Sequence, residues 1–272
     1  MNGILLLTIV LSVSIAPLSA KHRPAPGGAS PDGKPSGLQI RCVRHAGGVT
    51  PDGTASTNAL EAIDRSYADG DYFLELDFNW TSDGELVCIH DWHSQFSENI
   101  RDCEPLSLRE FENIKIYGKY RPLTLASLAR WLADHPKAYI ITDIKRNPVE
   151  GHAKIAREYP GLIDRFIPQI YFFDEYDPVR GQGYQNIILT LYAMSSADKL
   201  NSRLLVKFAR ERPLFALTFD KTLATGSYVA ELLDAGIPLY THTVNDPDEI
   251  RRHLAMGVTG VYSDFSQNHI FR

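Results

Sequence analysis

Between Tyr72 and Asp91 the chain reads YFLELDFNWTSDGELVCIHD, and the acids Glu75 and Asp77 stand two residues apart in an apolar, β-prone run. A strand alternates its faces, so both carboxylates project from the same side. Two like charges held together away from water are costly unless a cation lies between them. Phe73, Leu74, Leu76, Phe78 and Trp80 make the run apolar on both faces, as in a strand of a covered, largely parallel sheet. Thr81-Ser82-Asp83-Gly84 then reads as a tight turn, and a second apolar run from Glu85 to Ile89 ends in His90-Asp91. The block supplies a carboxylate pair, a reversal and a histidine brought back towards the same end.

Asp143 follows another apolar run, and with Glu75 and Asp77 it makes three hard oxygen donors from neighbouring strands. Such a set suits Mg²⁺ or Ca²⁺ better than Zn²⁺, which prefers His and Cys, and it leaves positions on the ion for water or a phosphate oxygen. His45 and His90 can flank a substrate held there, and two imidazoles of near-neutral pKa make a general acid and base pair. Lys145 shares a strand face with Asp143 and can neutralise a phosphate oxygen as a point charge. The chemistry this describes is metal-assisted cleavage of a phosphodiester. For His242 and Asn245 a structural role is expected, and for Asp264 a strand-end cap.

The elements that must position these groups alternate from Leu38 onward. Strand patterns cover Leu38–Ala46, the acidic run, Ala138–Lys145, Phe166–Phe172, Asn186–Tyr192, Leu214–Phe219, Pro238–Thr243 and Gly260–Asp264. Helical spacing covers Thr57–Ala68, Leu125–Asp134, Val149–Glu158, Ala197–Arg210, Ser227–Ala235 and Pro247–Met256. About eight strands alternating with helices over this length predict an α/β fold, a TIM (β/α)8 barrel. No GxGxxG turn follows the first strand, which argues against a doubly wound open sheet. In a TIM barrel the functional residues sit at the C-terminal strand ends. Those ends carry Arg44-His45, Glu75-Asp77, Asp143-Ile144-Lys145, Gln169 and Tyr171, His242 and Asn245, and Asp264.

At 272 residues and 44% hydrophobic content the chain can bury one large core. A net charge of −5 with no basic stripe argues against a nucleic-acid partner. Met1–Ala20 is uncharged, too short in its apolar core for a stable membrane span, and ends in Ala-Pro-Leu-Ser-Ala, as a secretory signal does. Residues 21–37, rich in Pro, Gly and Ser, read as a disordered leader whose Lys21, His22 and Arg23 can touch an anionic membrane surface transiently. The expected organisation is a signal peptide over 1–20, the leader, and a barrel domain over 38–272, in a secreted or periplasmic protein. Of the three cysteines, Cys88 and Cys103 are candidates for a bridge and Cys42 for a buried thiol.

Several stretches together carry a family resemblance. They are His45 with Gly47-Gly48, Thr57-Asn58 with Leu60-Glu61-Ala62, Glu75-Leu76-Asp77, Thr81-Ser82-Asp83-Gly84 and His90-Asp91. Asp143-Ile144-Lys145, Thr243-Val244-Asn245, and Gly257-Val258 through Ser263-Asp264 follow. The arrangement resembles the glycerophosphodiester phosphodiesterase family, within the phospholipase-C-like phosphodiesterase superfamily. The resemblance implies a TIM barrel with a small insertion after the second strand, supplied by Trp92–Leu123. It also implies catalytic histidines at His45 and His90, a divalent ion on Glu75, Asp77 and Asp143, and a small-molecule or lipid-derived phosphodiester as substrate. Substrate binding falls to Lys145 and Arg44.

Four departures mark a divergent branch. The family's opening His-Arg-Gly is replaced by Arg44-His45-Ala46-Gly47, and its Pro-Glu-Asn-Thr by Ser-Thr-Asn-Ala. The third ligand, usually Glu, is Asp143, as in sphingomyelinase-D-type toxins of the superfamily, and the residue before Thr-Val-Asn, usually aromatic, is His242. A phospholipase-D-like or sphingomyelinase-D-like lipid enzyme is therefore an alternative, its apolar rim supplied by Phe172-Phe173 and Tyr176. A catalytically inactive secreted binding barrel is a third.

Overall fold

The computed structural model describes residues 40–95, 104–233 and 236–270. The signal and leader segments lie outside the described residues, as does Cys103 of the candidate bridge; Cys42 and Cys88 are buried. In chain order the elements are β1 (Cys42–Arg44), α1 (Leu60–Ala68), β2 (Phe73–Trp80), β3 (Leu86–Cys88), α2 (Leu108–Asn113), β4 (Leu123–Thr124) and α3 (Leu125–Asp134). There follow β5 (Tyr139–Ile144), α4 (Pro148–Glu158), β6 (Phe166–Ile170), α5 (Tyr176–Gly181), β7 (Ile188–Thr190), α6 (Ser196–Lys199) and α7 (Ser202–Glu211). The last are β8 (Ala216–Asp220), α8 (Gly226–Leu233), β9 (Leu239–His242), α9 (Pro247–Ala255), β10 (Gly260–Ser263) and α10 (Gln267–Ile270).

The strands pair in the order β1-β10-β9-β8-β7-β6-β5-β2, all parallel, and a further pairing of Arg44 with Leu74 joins β1 to β2 and closes the ring. This is the eight-stranded TIM barrel with helices outside. The insertion after the second barrel strand is an antiparallel ribbon. Phe78, Asn79 and Trp80, at the distal end of β2, pair with Cys88, Val87 and Leu86 of β3, which pairs in turn with β4. β2 thus does two jobs, barrel stave below and ribbon above.

Side-chain parity divides the core. Phe73, Ile141, Ile167, Ile188, Ala216, Tyr240 and Tyr262 cluster with Val43 inside the barrel. Leu74, Leu76, Phe78, Ile140, Phe166, Leu189, Leu217 and Leu239 face the other way, against Ile63, Leu128, Ile155, Leu205 and Val229 of the helices. Advancing two residues from the interior set reaches His45, Glu75, Asp143, Gln169, Thr190, Thr218, His242 and Asp264. The apolar interior layer is therefore roofed by a polar one at the C-terminal end of the barrel, where Asp77 and Lys145 extend it.

Helix boundaries follow local chemistry. Thr124 and Ser127 form a reciprocal capping box that starts α3, with Thr124 Oγ1 accepting from the Ser127 N–H at 3.1 Å. The single helix expected over Ala197–Arg210 is two, α6 and α7. Asn201 sits at the break and accepts from the Leu204 N–H at 3.1 Å, so its side chain caps the second helix rather than continuing the first.

Candidate active site

The register of β2 against β5 sets Asp77 beside Asp143, with Glu75 one inward step below. One ligating oxygen from each of the three carboxylates lies within 4.8 Å of the others, and all three residues are buried. Each is held by the protein. The Ala46 N–H donates to Glu75 Oε2 at 2.8 Å. Asn58 donates to Asp77 Oδ2 at 2.9 Å and accepts from the Asp77 N–H at 3.0 Å. The Tyr171 and Tyr192 hydroxyls donate to Asp143 Oδ1, the latter at 3.0 Å. Lys145 Nζ lies 2.8 Å from Asp77 Oδ1 and 2.8 Å from Asp143 Oδ2.

One ammonium cannot serve three carboxylates. Burial, then the neighbouring charge of Asp77, pushes the Glu75 carboxyl up to about 8. Burial pushes Asp77 in the same direction, but the charge of Lys145 and hydrogen bonds from Lys145 and Asn58 prevail and hold it below the usual carboxylate range. Burial opposes the charge on Lys145, and Asp143 and Asp77 overcome it, so the ammonium stays protonated. Three desolvated oxygens with a shortfall of positive charge fit a hard divalent cation.

This has a consequence for stability. Glu75 ionises near 4.5 in an unfolded chain and near 8 in the ion-free fold, so folding is penalised progressively as pH rises across that window and fully above it. Below it, an added cation must displace a proton from Glu75; above it, the cation meets a carboxylate. The rise in melting temperature on adding Mg²⁺ or Ca²⁺ is therefore expected to be larger above about pH 8 than below about pH 6. Scanning calorimetry across that range checks it, and a pH-independent rise would remove Glu75 from the ion site.

His45 begins the short turn that ends β1. The turn needs Gly48, whose φ is +93° and where a Cβ would fall 2.5 Å from Arg44 Nε and from Ser66 Oγ. His45 Nδ1 lies 2.8 Å from Asp264 Oδ1, a contact from the first barrel strand to the end of the last. Asp264 is fixed in turn by Asn245, which donates to Oδ2 at 2.6 Å and accepts from the Asp264 N–H at 2.9 Å. Burial works against the imidazolium, but the Asp264 hydrogen bond and the charges of Glu75, Asp264 and Asp77 lift His45 to about 9. Asp264 thus does more than cap a strand.

His90 follows β3. Its backbone is held on both sides, the N–H donating to Gln95 Oε1 at 2.8 Å and the carbonyl accepting from Asn79 at 3.2 Å. Its Nδ1 lies 2.9 Å from Asp91 Oδ2, and the side chain is 55% exposed. Partial burial raises the Asp91 carboxyl, but hydrogen bonds from Ser94, His90 and the His93 N–H hold it well below its ordinary range.

His45, Glu75, Asp77, His90, Asp143 and Lys145 line one cleft of about 240 Å³, together with Gln169, Thr190, Tyr192, His242, Thr243 and Tyr262. Six of the seven expected site residues are thus brought together. Arg44 is not among them. It has the opposite parity to His45, points into the helical layer, is fully buried, and pairs with Asp71 at 3.3 Å. Of the expected apolar rim, only Phe172 is exposed; Tyr176 is buried with its hydroxyl donating to the Pro213 carbonyl, and Phe173 packs on Phe208. The supporting residues Asn58, Tyr171 and Tyr192 were not assigned roles from the sequence. Asn58 stands within a recognised motif, Tyr171 at a strand end, and Tyr192 closes the strand expected over Asn186–Tyr192, two residues beyond the observed end of β7.

The sequence from residue 46 to 154 matches the model of the Glycerophosphoryl diester phosphodiesterase family. No curated protein matches the chain. Among solved structures, a glycerophosphodiester phosphodiesterase of Parabacteroides distasonis shares the fold at 16% identity and a TM-score of 0.65, over 85% of this chain and 96% of that one. One of Thermotoga maritima does so at 16% identity and a TM-score of 0.62, over 83% and 94%. A phosphodiesterase of Oleispira antarctica, bound to the product sn-glycerol-3-phosphate, does so at 16% and a TM-score of 0.63, over 84% and 94%. These likenesses are of fold. The family match is of sequence, and it spans Glu75, Asp77, His90, Asp143 and Lys145, the carboxylate cluster and one of the cleft's histidines. Over residues 46–154 the chain is thus similar in sequence to the glycerophosphoryl diester phosphodiesterase family, and over most of its length it shares the fold of solved proteins of that name.

Proposed function

We propose that the protein is an exported, metal-dependent hydrolase of glycerophosphodiester-type substrates that works by paired histidine acid-base catalysis. The observation that carries this reading is the convergence of His45, His90, Lys145 and the three carboxylates on one cleft. The product-bound Oleispira antarctica phosphodiesterase, of the same fold, supports glycerol phosphate as the product class. Export rests on the uncharged apolar run Met1–Ala20 and the leader that follows it. No helix among the described residues is long and apolar enough to cross a membrane.

Glu75, Asp77 and Asp143 would hold the ion, which when bound supplies positive charge to the phosphate oxygens. Lys145, already beside Asp77 and Asp143, adds a point charge for another phosphate oxygen. His90, at the open side of the cleft, takes the proton of the attacking water or substrate hydroxyl, and Asp91 holds its ring in orientation. His45, kept protonated by Asp264, gives a proton to the departing alcohol oxygen. A base lifted to about 9 would be occupied by a proton at neutral pH, which is why His45 takes the acid role.

The purified mature domain is expected to release glycerol phosphate from glycerophosphodiesters with Mg²⁺ or Ca²⁺ and to stop on chelation. Absence of ion-dependent hydrolysis across glycerophosphodiesters and intact lysolipids would overturn the reading. Preference for lysolipids would favour the lipid-phosphodiesterase alternative, for which exposed Phe172 and half-exposed Tyr192 are the available apolar rim. The acid assignment has its own check. Asp264→Asn removes the group that keeps His45 charged, so the alkaline limb of the pH–rate profile is expected to move to lower pH by about 1–3 units. Movement of the acidic limb instead would make His45 the base.

A further inference from the structure

The cleft contains a third imidazole that the mechanism does not use. His242 ends β9 with the interior parity of Tyr240, and its ring lines the cleft edge-on to Tyr192 and Tyr262, at centroid distances of 6.0 and 6.2 Å. His45 is held by Asp264 and His90 by Asp91. Among the described residues His242 is held by nothing comparable, and its Nε2 is buried without a hydrogen-bond partner. Asp220, opposite it in the β8–β9 register, is committed to Thr222, accepting from its N–H at 2.8 Å and from its hydroxyl. Lys145 is committed to Asp77 and Asp143. A buried polar atom left without a partner is unfavourable, and one whose ring lines a cleft is placed for a ligand to complete it.

The chemistry of that ligand follows from the ring. Burial favours the uncharged imidazole, which carries one donor and one acceptor. A phosphate diester offers only acceptors, and the cleft already presents Lys145 and the carboxylate site to it. A hydroxyl both gives and takes a hydrogen bond. We propose that His242 binds a hydroxyl on the alcohol portion of the substrate and so selects polyol phosphodiesters over those of simple alkyl alcohols. This rests on the phosphodiesterase reading above and adds a specificity-determining residue to it.

The test is calorimetric binding of glycerol phosphate and of propyl phosphate, which lacks the hydroxyls, to the full mature protein with Mg²⁺ present. Wild type is expected to prefer glycerol phosphate by roughly 5- to 100-fold. His242→Phe should bring the two ligands level by weakening glycerol phosphate alone. His242→Gln, which retains a donor and an acceptor, should keep part of the preference and covers the case in which the Phe variant fails to fold. Equal binding of the two phosphates by wild type, no binding of either, or an undiminished preference in a folded His242→Phe would each overturn the inference. A parallel hydrolysis assay separates the two claims: a His242-dependent preference without turnover would remove the hydrolase reading and leave the His242 assignment standing.

Discussion

His90→Ala is expected to lower turnover by about 10²–10⁴-fold with no loss of melting temperature and no loss of ion affinity. The side chain is more than half exposed and its ring has Asp91 as hydrogen-bonding partner, itself held by Ser94 and the His93 N–H. Its removal therefore opens no cavity and leaves no buried charge alone. His45→Ala should cost turnover in the same range but also lower stability, because Asp264, largely buried, would keep only Asn245 and backbone neighbours. The pair of variants separates proton transfer from architecture. Turnover near wild type in folded His90→Ala would refute the two-histidine mechanism.

The reason these residues could be named from sequence is that strand parity is local. Glu75 and Asp77 share a face because they are two apart in one strand, and the following turn returns His90 to the same end. The same rule, applied one residue further back, would have excluded Arg44: if His45 faces the barrel interior, Arg44 faces the helices, and there it pairs with Asp71. What could not be read is what depends on register and ring closure. That Asp77 stands beside Asp143 is fixed by how β2 slides on β5. The Tyr192 hydroxyl reaches Asp143 across 49 positions of sequence, and Asp264 reaches His45 across 219. No spacing rule spans such distances. The unpartnered state of His242 is equally a property of the assembled cleft, since it is defined by what neighbouring strands fail to offer.

Glu75→Gln is expected to abolish tight ion binding and lower activity by on the order of 10³-fold or more, since several kcal/mol of charge stabilisation leave with the ion. In the absence of any ion it should do the opposite to stability. Glutamine can still accept the Ala46 N–H, now without a desolvated carboxyl facing Asp77, so the ion-free variant should melt above ion-free wild type once pH exceeds about 8. Loss of function coupled to a gain in ion-free stability is what a cation site predicts. A carboxylate that merely braced the barrel would lose both. Isothermal titration with Mg²⁺ or Ca²⁺ and melting curves in chelator read the two arms, and a destabilised ion-free Glu75→Gln above that pH would count against the site.

The contact between His45 and Asp264 ties the beginning of the barrel to its final strand, next to the β1–β10 seam. During synthesis the carboxylates, His45, His90 and Lys145 all emerge before β10 exists. Until that last stave docks, His45 lacks the carboxylate that keeps it protonated, and the ring of strands that sets the carboxylates side by side is open. Pairings so distant in sequence form late, because the intervening loop must be closed first. On the proposed mechanism the nascent chain would be hydrolytically silent, and activity would begin only where the ring of strands is completed.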